Sequence, residues 1–325
     1  MVRRYTERSL LEFQRTFATE DACAEHLKTL RWPDGFACPR CGHKEAWYIG
    51  TRKLLDCKGC RAQVSLTAGT IFHRTRTPLV KWYWLLYHMA TEKVGVSIAQ
   101  LQRGLEIPDY KTAWLMAHKV RKAMADRDAQ YRLAGLIEMD EAFFGPRGTQ
   151  HGRGSERKQT VLCAVALYRD RNGREHPGFA HMRVVADASA RTVEEFLDRL
   201  GCGAVTDEGR QLLEAIRSDG WRAYGIAAKA KDLAHCKVVL RDSRAAGKLL
   251  PWVHRVISNA KAVLRGAHRG VSQKHLQAYL TEVCYRFNRR FWERELFDRL
   301  VKACVSTGTL TYHQLTKKDA ASRSL

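Results

Sequence analysis

The chain has 325 residues, 45% of them hydrophobic, enough for two or three domains with a substantial core; it is not a disordered chain. Its 56 Lys+Arg against 34 Asp+Glu give a formal charge of +22 and a pI near 9.8. That surplus points to a polyanionic partner, with nucleic acid ahead of an acidic membrane surface because Trp and Tyr are interleaved with the basic residues.

No run approaches the roughly 20 apolar residues of a membrane span, so no membrane association is expected. The first residues lack an apolar signal segment. Four cysteines fall in a metal spacing, while Cys23, Cys163, Cys202, Cys236, Cys284 and Cys304 are scattered, the usage of a reducing, cytoplasmic compartment.

In chain order, 7–31 reads as helical: Leu10, Leu11, Phe13, Phe17, Cys23, Leu27 and Leu30 recur near the helical period, and W-P-D-G ends the run. Residues 36–77 carry C-P-R-C-G at 38–42 and C-K-G-C at 57–60, two knuckles with 15 residues between them. Cys38, Cys41, Cys57 and Cys60 suit a closed, structural, tetrahedral Zn²⁺ site. A redox role is disfavoured, because two such pairs in a stretch without βαβ character do not resemble thioredoxin. Lys53, Lys58, Arg61, His73, Arg74 and Arg76 make the ribbon either a DNA-contacting face or an ordinary solvated basic one.

Residues 78–130 are helical again. Ser97 can cap a first helix that turns Ile98, Leu101 and Leu105 inward, and E-I-P-D breaks the run. A second helix would bury Trp114, Ala117, Val120 and Met124. It would offer Tyr110 and Lys111, with Lys119, Arg121 and Lys122 farther along, to a major groove. The plainer alternative is a helical hairpin packed on the ribbon.

From about 133 the pattern changes to strand-like runs at 136–144, 160–168 and 178–187, a helix at 190–200, a strand leading into Asp219, another at 235–240, and helices at 251–265 and 273–288. That order is the one expected of an RNase H-like α/β domain with a mixed sheet flanked by helices. The chain as a whole therefore reads as a multidomain α+β and α/β protein. The expected divisions are 1–35 (helical), 36–77 (ribbon), 78–130 (helix-turn-helix-like), 131–305 (catalytic) and 306–325 (a frayed tail), with 145–158 a mobile glycine-rich loop.

Strand parity puts Glu138, Asp140 and Ala142 on one face and Glu141 on the other. Asp219 ends an apolar run at a Gly220-Trp221 corner, where ligands are presented at a carboxyl edge. Two acids on separate segments, followed by a ligand-type residue on a helix, fit a two-metal phosphoryl-transfer site. The third ligand has three candidates, His254, Asn259 and Glu282. Lys261 returns to within about 20° of His254 on the helix, whereas Asn259 lies about 140° round. Glu282, on the next helix, is the reserve carboxylate. A helix-capping or core histidine is the bland reading of His254.

The ordered set C-P-R-C-G…C-K-G-C, G-T-I-F-H, E-M-D-E-A-F-F-G, S-D-G-W-R-A-Y, W-V-H-R-V-I-S-N-A-K and Y-L-T-E-V-C-Y-R-F-N-R-R resembles insertion-sequence DDE transposases of the ISXO-like type, which carry an N-terminal zinc ribbon. The resemblance implies an RNase H-like catalytic domain with two Mg²⁺ or Mn²⁺ ions. It implies double-stranded DNA as partner, both transposon ends and target, and a homodimer or higher oligomer on DNA. By the same resemblance Asp140 and Asp219 match the first two acids and Lys261 a downstream Lys. His254 stands where relatives with a complete acidic triad have Glu. An imidazole favours softer ions than Mg²⁺, so activity in Mn²⁺ at least equal to that in Mg²⁺ is expected.

Overall fold

A computed structural model describes residues 9–317 except 53, 146–157, 206, 208, 239–248 and 269. Lys53 and nearly all of the expected glycine-rich loop therefore lie outside the described residues, as does 318–325. In chain order the elements are α1 (Leu10–Thr16), α2 (Glu20–Arg31), β1 (Ala46–Ile49), β2 (Leu54–Cys57), β3 (Gln63–Ser65), α3 (Leu79–Thr91), α4 (Ile98–Gly104), α5 (Tyr110–Asp128), β4 (Gly135–Phe144), β5 (Gln159–Arg169) and β6 (Glu175–Val185). Then come α6 (Ala190–Leu200), β7 (Leu213–Ser218), α7 (Arg222–Ala230), β8 (Ala234–Lys237), α8 (Pro251–Gly266), α9 (Leu276–Asn288), α10 (Leu296–Ser306) and α11 (Tyr312–Thr316). They form two compact units, one joining the first 127 residues to those after 290, the other running Asp128–Arg290. No described helix is long and apolar enough to cross a membrane.

In the first unit the single helix expected over 7–31 is two. The Thr19 hydroxyl accepts the Ala22 N–H and starts α2 afresh, while the Phe17 N–H closes α1 onto Phe13. The break lets Phe13 and Phe17 turn into an aromatic cluster with Tyr83, Tyr87 and Phe297, ring centroids 4.4–5.5 Å apart. Phe297 belongs to α10, so the segment after 290 completes this core. The expected catalytic boundary at 305 is corrected to 290 on that ground. The expected frayed tail also carries α11, closed by a capping box between Thr311 and Gln314.

The ribbon is an antiparallel sheet in the order β1-β2-β3. Where a helix-turn-helix was expected there are two helices, with Ser97 capping α4 and the Asp109 carboxylate accepting the Thr112 N–H at the start of α5. α5 is buried nearly all round. Lys119 is 9% exposed and Arg121 1% exposed, so neither of these two expected DNA contacts faces solvent.

The second unit holds a five-stranded sheet in the order β6-β5-β4-β7-β8. β4, β5 and β6 are antiparallel neighbours, and β7 and β8 run parallel to β4. This is the RNase H-like arrangement. β6 begins at Glu175, earlier than expected, because Asp170 ties a tight hairpin by accepting the N–H groups of Asn172 and Arg174. β8 is seen over Ala234–Lys237, and the last two residues of the expected strand lie outside the described ones.

Parity on β4 decides which layer each side chain meets. Ala142 and Phe144 pack with Val253, Val256 and Ala260 of α8 and with Leu280 of α9. Ile137 and Met139 pack with Phe196 of α6 and Tyr224 of α7 on the opposite face. Both layers are continuous apolar clusters, so β4 is a rigid mount for anything it carries.

Candidate metal-dependent site

The ribbon holds the tighter of two candidate metal sites. Cys38 Sγ lies 3.7 Å from Cys60 Sγ, and Cys41 Sγ lies 3.6 Å from Cys57 Sγ. Four sulfurs about 2.3 Å from one tetrahedral ion stand about 3.8 Å apart, so the donors fit Zn²⁺. All four sulfurs lie within 4.8 Å of one another, the one such group of three or more donors among the described residues. The two knuckles close alike. The Gly42 N–H bonds the Cys38 carbonyl at 2.8 Å, and the Arg61 N–H bonds the Cys57 carbonyl at 2.9 Å. The closing residue is left-handed in both, at φ +74° for Gly42 and +58° for Arg61.

The second candidate lies in the middle of the sheet, where β7 ends beside β4. Asp140 stands on β4 opposite Cys163 of β5, its side chain 14% exposed. Its Oδ1 accepts the Glu141 N–H at 2.9 Å. Burial first, then the charges of Glu141 and Asp219, push the Asp140 carboxyl up to about 7, against a downward pull from Lys261. The raised value is the mark of a carboxylate that is mostly buried and stands beside two other acids.

Asp219 follows β7 at a corner where Gly220 takes φ +86°. A Cβ on Gly220 would run into the Lys237 side chain, so the corner needs glycine twice over. Asp219 Oδ1 accepts the Trp221 N–H at 2.9 Å, which fixes the carboxylate at the mouth of the turn.

His254 lies one turn into α8, its Nδ1 3.5 Å from Asp140 Oδ2. One shared ion with bonds of about 2.1 Å could span that gap. His254 Nε2 is buried with no hydrogen-bond partner among the described residues. Burial lowers the imidazole pKa, with the Asp219 charge opposing, so the ring is neutral at pH 7, the form that binds metal. Lys261 lies two turns on, its ammonium 5.5 Å above the Phe144 ring and within the field of Asp140. The donor set of Asp140, Asp219 and His254 thus fits divalent ions, in a looser grouping than the cysteine cage.

Asn259 is exposed on the other side of α8. The Glu282 carboxylate is buried and ion-paired to Arg286 at 2.8 Å. Neither reserve ligand joins the group. Glu141 turns to the opposite layer, as parity requires, and accepts the Tyr224 hydroxyl at 3.0 Å.

Of the expected DNA contacts, Tyr110 and Lys111 are exposed and Lys122 is half-buried, paired to Asp126. The Lys111 ammonium sits 4.0 Å above the Tyr312 ring of α11, a contact that sequence periodicity had no means of finding. Sequence reading also missed what Glu138 does. Its Oε2 accepts the N–H groups of both Trp252 and Val253, each at 2.9 Å. Parity had placed Glu138 on the right face, but its partner is on a helix 114 residues away.

Comparison with known proteins finds two family models that match parts of the chain. Residues 132–288 match the ISXO2-like transposase domain, and residues 18–63 match the transposase zinc-ribbon domain. A protein of Halobacterium salinarum described as an uncharacterized protein in transposable element ISH50 is 27% identical over 307 residues, covering 90% of this chain and 97% of its own length. Among solved structures, the Mos1 transposase paired-end complex with left transposon end aligns with 70% of this chain and 79% of its own, at 11% identity and a TM-score of 0.29. The Mos1 mariner paired end complex with Mn aligns with 69% and 78%, at 12% identity and a TM-score of 0.27.

Proposed function

We propose that this chain, which carries an ISXO2-like transposase domain behind a transposase zinc ribbon, binds the ends of a DNA element, cuts a phosphodiester there and joins the freed 3′-OH to target DNA. The observation that carries the reading is the meeting of Asp140, Asp219 and a partnerless imidazole nitrogen of His254 in the middle of the sheet. Divalent ions held by these three residues, Mg²⁺ or Mn²⁺, would supply the Lewis acidity that both phosphoryl transfers need. Asp140, on the rigid central strand, anchors the ligand set. Asp219 supplies the second carboxylate from the corner, and His254 supplies a neutral donor from the facing helix. Lys261 lies in phase with His254 and meets a non-bridging phosphate oxygen as a point charge.

The four cysteines hold a structural Zn²⁺ that folds the ribbon. The net charge of +22 binds duplex DNA, with Tyr110 and Lys111 at the exposed start of α5 contacting the groove. Pairing two ends at one target needs two active sites, so the reading includes a homodimer or larger assembly on DNA, acting in the cytoplasm.

The test uses labelled duplexes carrying the termini of the DNA element that encodes the chain. Asp140→Asn and Asp219→Asn should each abolish cleavage yet shift the duplex as the unaltered protein does. Normal cutting by either variant would sink the site assignment. Cleavage without joined products on a target plasmid would make the chain a nuclease. Binding without metal-dependent cleavage would make it a DNA-binding regulator.

A further inference from the structure

We propose that Glu138 is the positioning residue of this site: it caps α8 from inside the sheet and thereby fixes His254 against Asp140. The inference rests on the reading of the site given above.

α8 opens Leu250-Pro251-Trp252-Val253-His254. The first turn of any helix leaves backbone N–H groups without partners inside the helix. Here the residue before the helix is Leu250, which has no polar side chain to cap with, and Pro251 has no N–H to satisfy. The two amides that follow both donate to Glu138 Oε2. A carboxyl oxygen therefore accepts at the positive end of the helix dipole; burial pushes the Glu138 carboxyl up, and these two amides and Arg217 pull it back down.

Glu138 is fully buried, and among the described residues its carboxylate meets these two amides and Arg217, whose Nη1 lies 3.7 Å from Oε1. Arg217 stands beside Glu138 on β7, and Glu175 grips it with bonds of 2.8 and 2.9 Å. Through these contacts the carboxylate, and the helix start it holds, are tied to β7 and β6 as well as to β4.

The consequence follows from neighbours in sequence. Glu138 and Asp140 share one face of one strand, about 6.8 Å apart along it. Val253, whose amide Glu138 holds, is followed at once by His254. One strand therefore sets both members of the 3.5 Å Asp140–His254 pair, the acid directly and the imidazole through the cap. A slide or rotation of α8 would widen that gap and carry Lys261 away with it.

The first unit uses the same device where nothing catalytic depends on it. α3 also follows a proline, Pro78, and lacks a side-chain cap of its own. Its Leu79 and Val80 N–H groups donate to the two oxygens of Glu20, at 2.9 and 3.1 Å. Glu20 is thus an internal control for what loss of such a cap does to stability alone.

The experiment compares zinc-loaded full-length protein with Glu138→Gln, Glu20→Gln and Asp140→Asn, reading Mn²⁺ affinity by electron paramagnetic resonance and melting temperature by calorimetry. Both Gln variants should melt lower. Glu138→Gln should weaken Mn²⁺ binding by about tenfold to a hundredfold, the usual cost of removing a group that orients a metal ligand. Glu20→Gln should leave Mn²⁺ binding unchanged. If Glu138→Gln does not fold, Glu138→Asp keeps the carboxyl but falls a methylene short of both amides, and it should show the same weakening. Unchanged Mn²⁺ affinity in the folded Glu138 variants, or equal weakening in Glu20→Gln, would overturn the proposal while leaving the site intact. Unchanged affinity in Asp140→Asn would instead overturn the reading of the site itself.

Discussion

In the ribbon, four donor sulfurs come from two short turns of chain, 38–42 and 57–61, and are packed to 3.6–3.7 Å across the cage. On the large sheet the donors come from its central strand, a corner and a helix spread from Asp140 to His254, and Asp140 and His254 stand 3.5 Å apart with the other ring nitrogen left over. The first site offers four sulfurs to one ion, which would leave no position for substrate. The second is framed by elements that are rigid for reasons of their own, sheet pairing and two apolar layers. A structural ion is caged by local turns, whereas a reactive one is framed by long-range packing that leaves a face free.

The largest effect that would break this contrast is loss of the cage. Cys57→Ser should release zinc and unfold the ribbon, since structural zinc contributes on the order of 10 kcal/mol to folding of such modules. Mn²⁺ binding by the second unit should survive. Zinc content, limited proteolysis and Mn²⁺ titration on one preparation would check it, and loss of both sites together would erase the distinction.

A smaller effect should separate the sites by pH. The Asp140 carboxyl is raised to about 7, well above its value in an unfolded chain. The folded protein therefore holds that proton more tightly than the unfolded one, and the metal-free fold loses stability as pH rises from about 4 to 7. An incoming ion must displace the same proton. Mn²⁺ affinity should thus fall about tenfold per unit as pH drops below 7 and level off above it. A flat titration from pH 6 to 8 would show that Asp140 does not bind the ion.

The smallest effect probes the ribbon turns. A methyl group at Gly42 would meet no other atom within 4 Å, yet the residue sits at φ +74°. Gly42→Ala should therefore cost about 1 kcal/mol through backbone conformation alone, read as a lower ribbon melting temperature with zinc still bound.

The same contrast explains what could be read from the chain. The cysteine cage is a pattern in sequence because its geometry is local. Asp140 and Glu138 could be assigned to one face by a period of two, and Lys261 to the face of His254 by a period of 3.6. Periodicity says which way a side chain points but not what waits there, so the 114-residue bond from Glu138 to the start of α8 was out of reach. Lys119 and Arg121 were misjudged for a related reason. Net charge is a property of the whole chain, and it does not reveal that α5 is packed on almost every side. Phe297 packs with Phe13 and Tyr83 rather than with the sheet, and no local signal marks the chain's return to its first unit at 291.

The central claim is that an imidazole completes the reactive metal site. An anomalous difference map from crystals of the full-length protein soaked in Mn²⁺ tests it most directly. The expected result is a peak about 2.2 Å from a ring nitrogen of His254 and within bonding distance of the Asp140 carboxylate. A peak held by Asp140 and Asp219 with His254 turned away would contradict it.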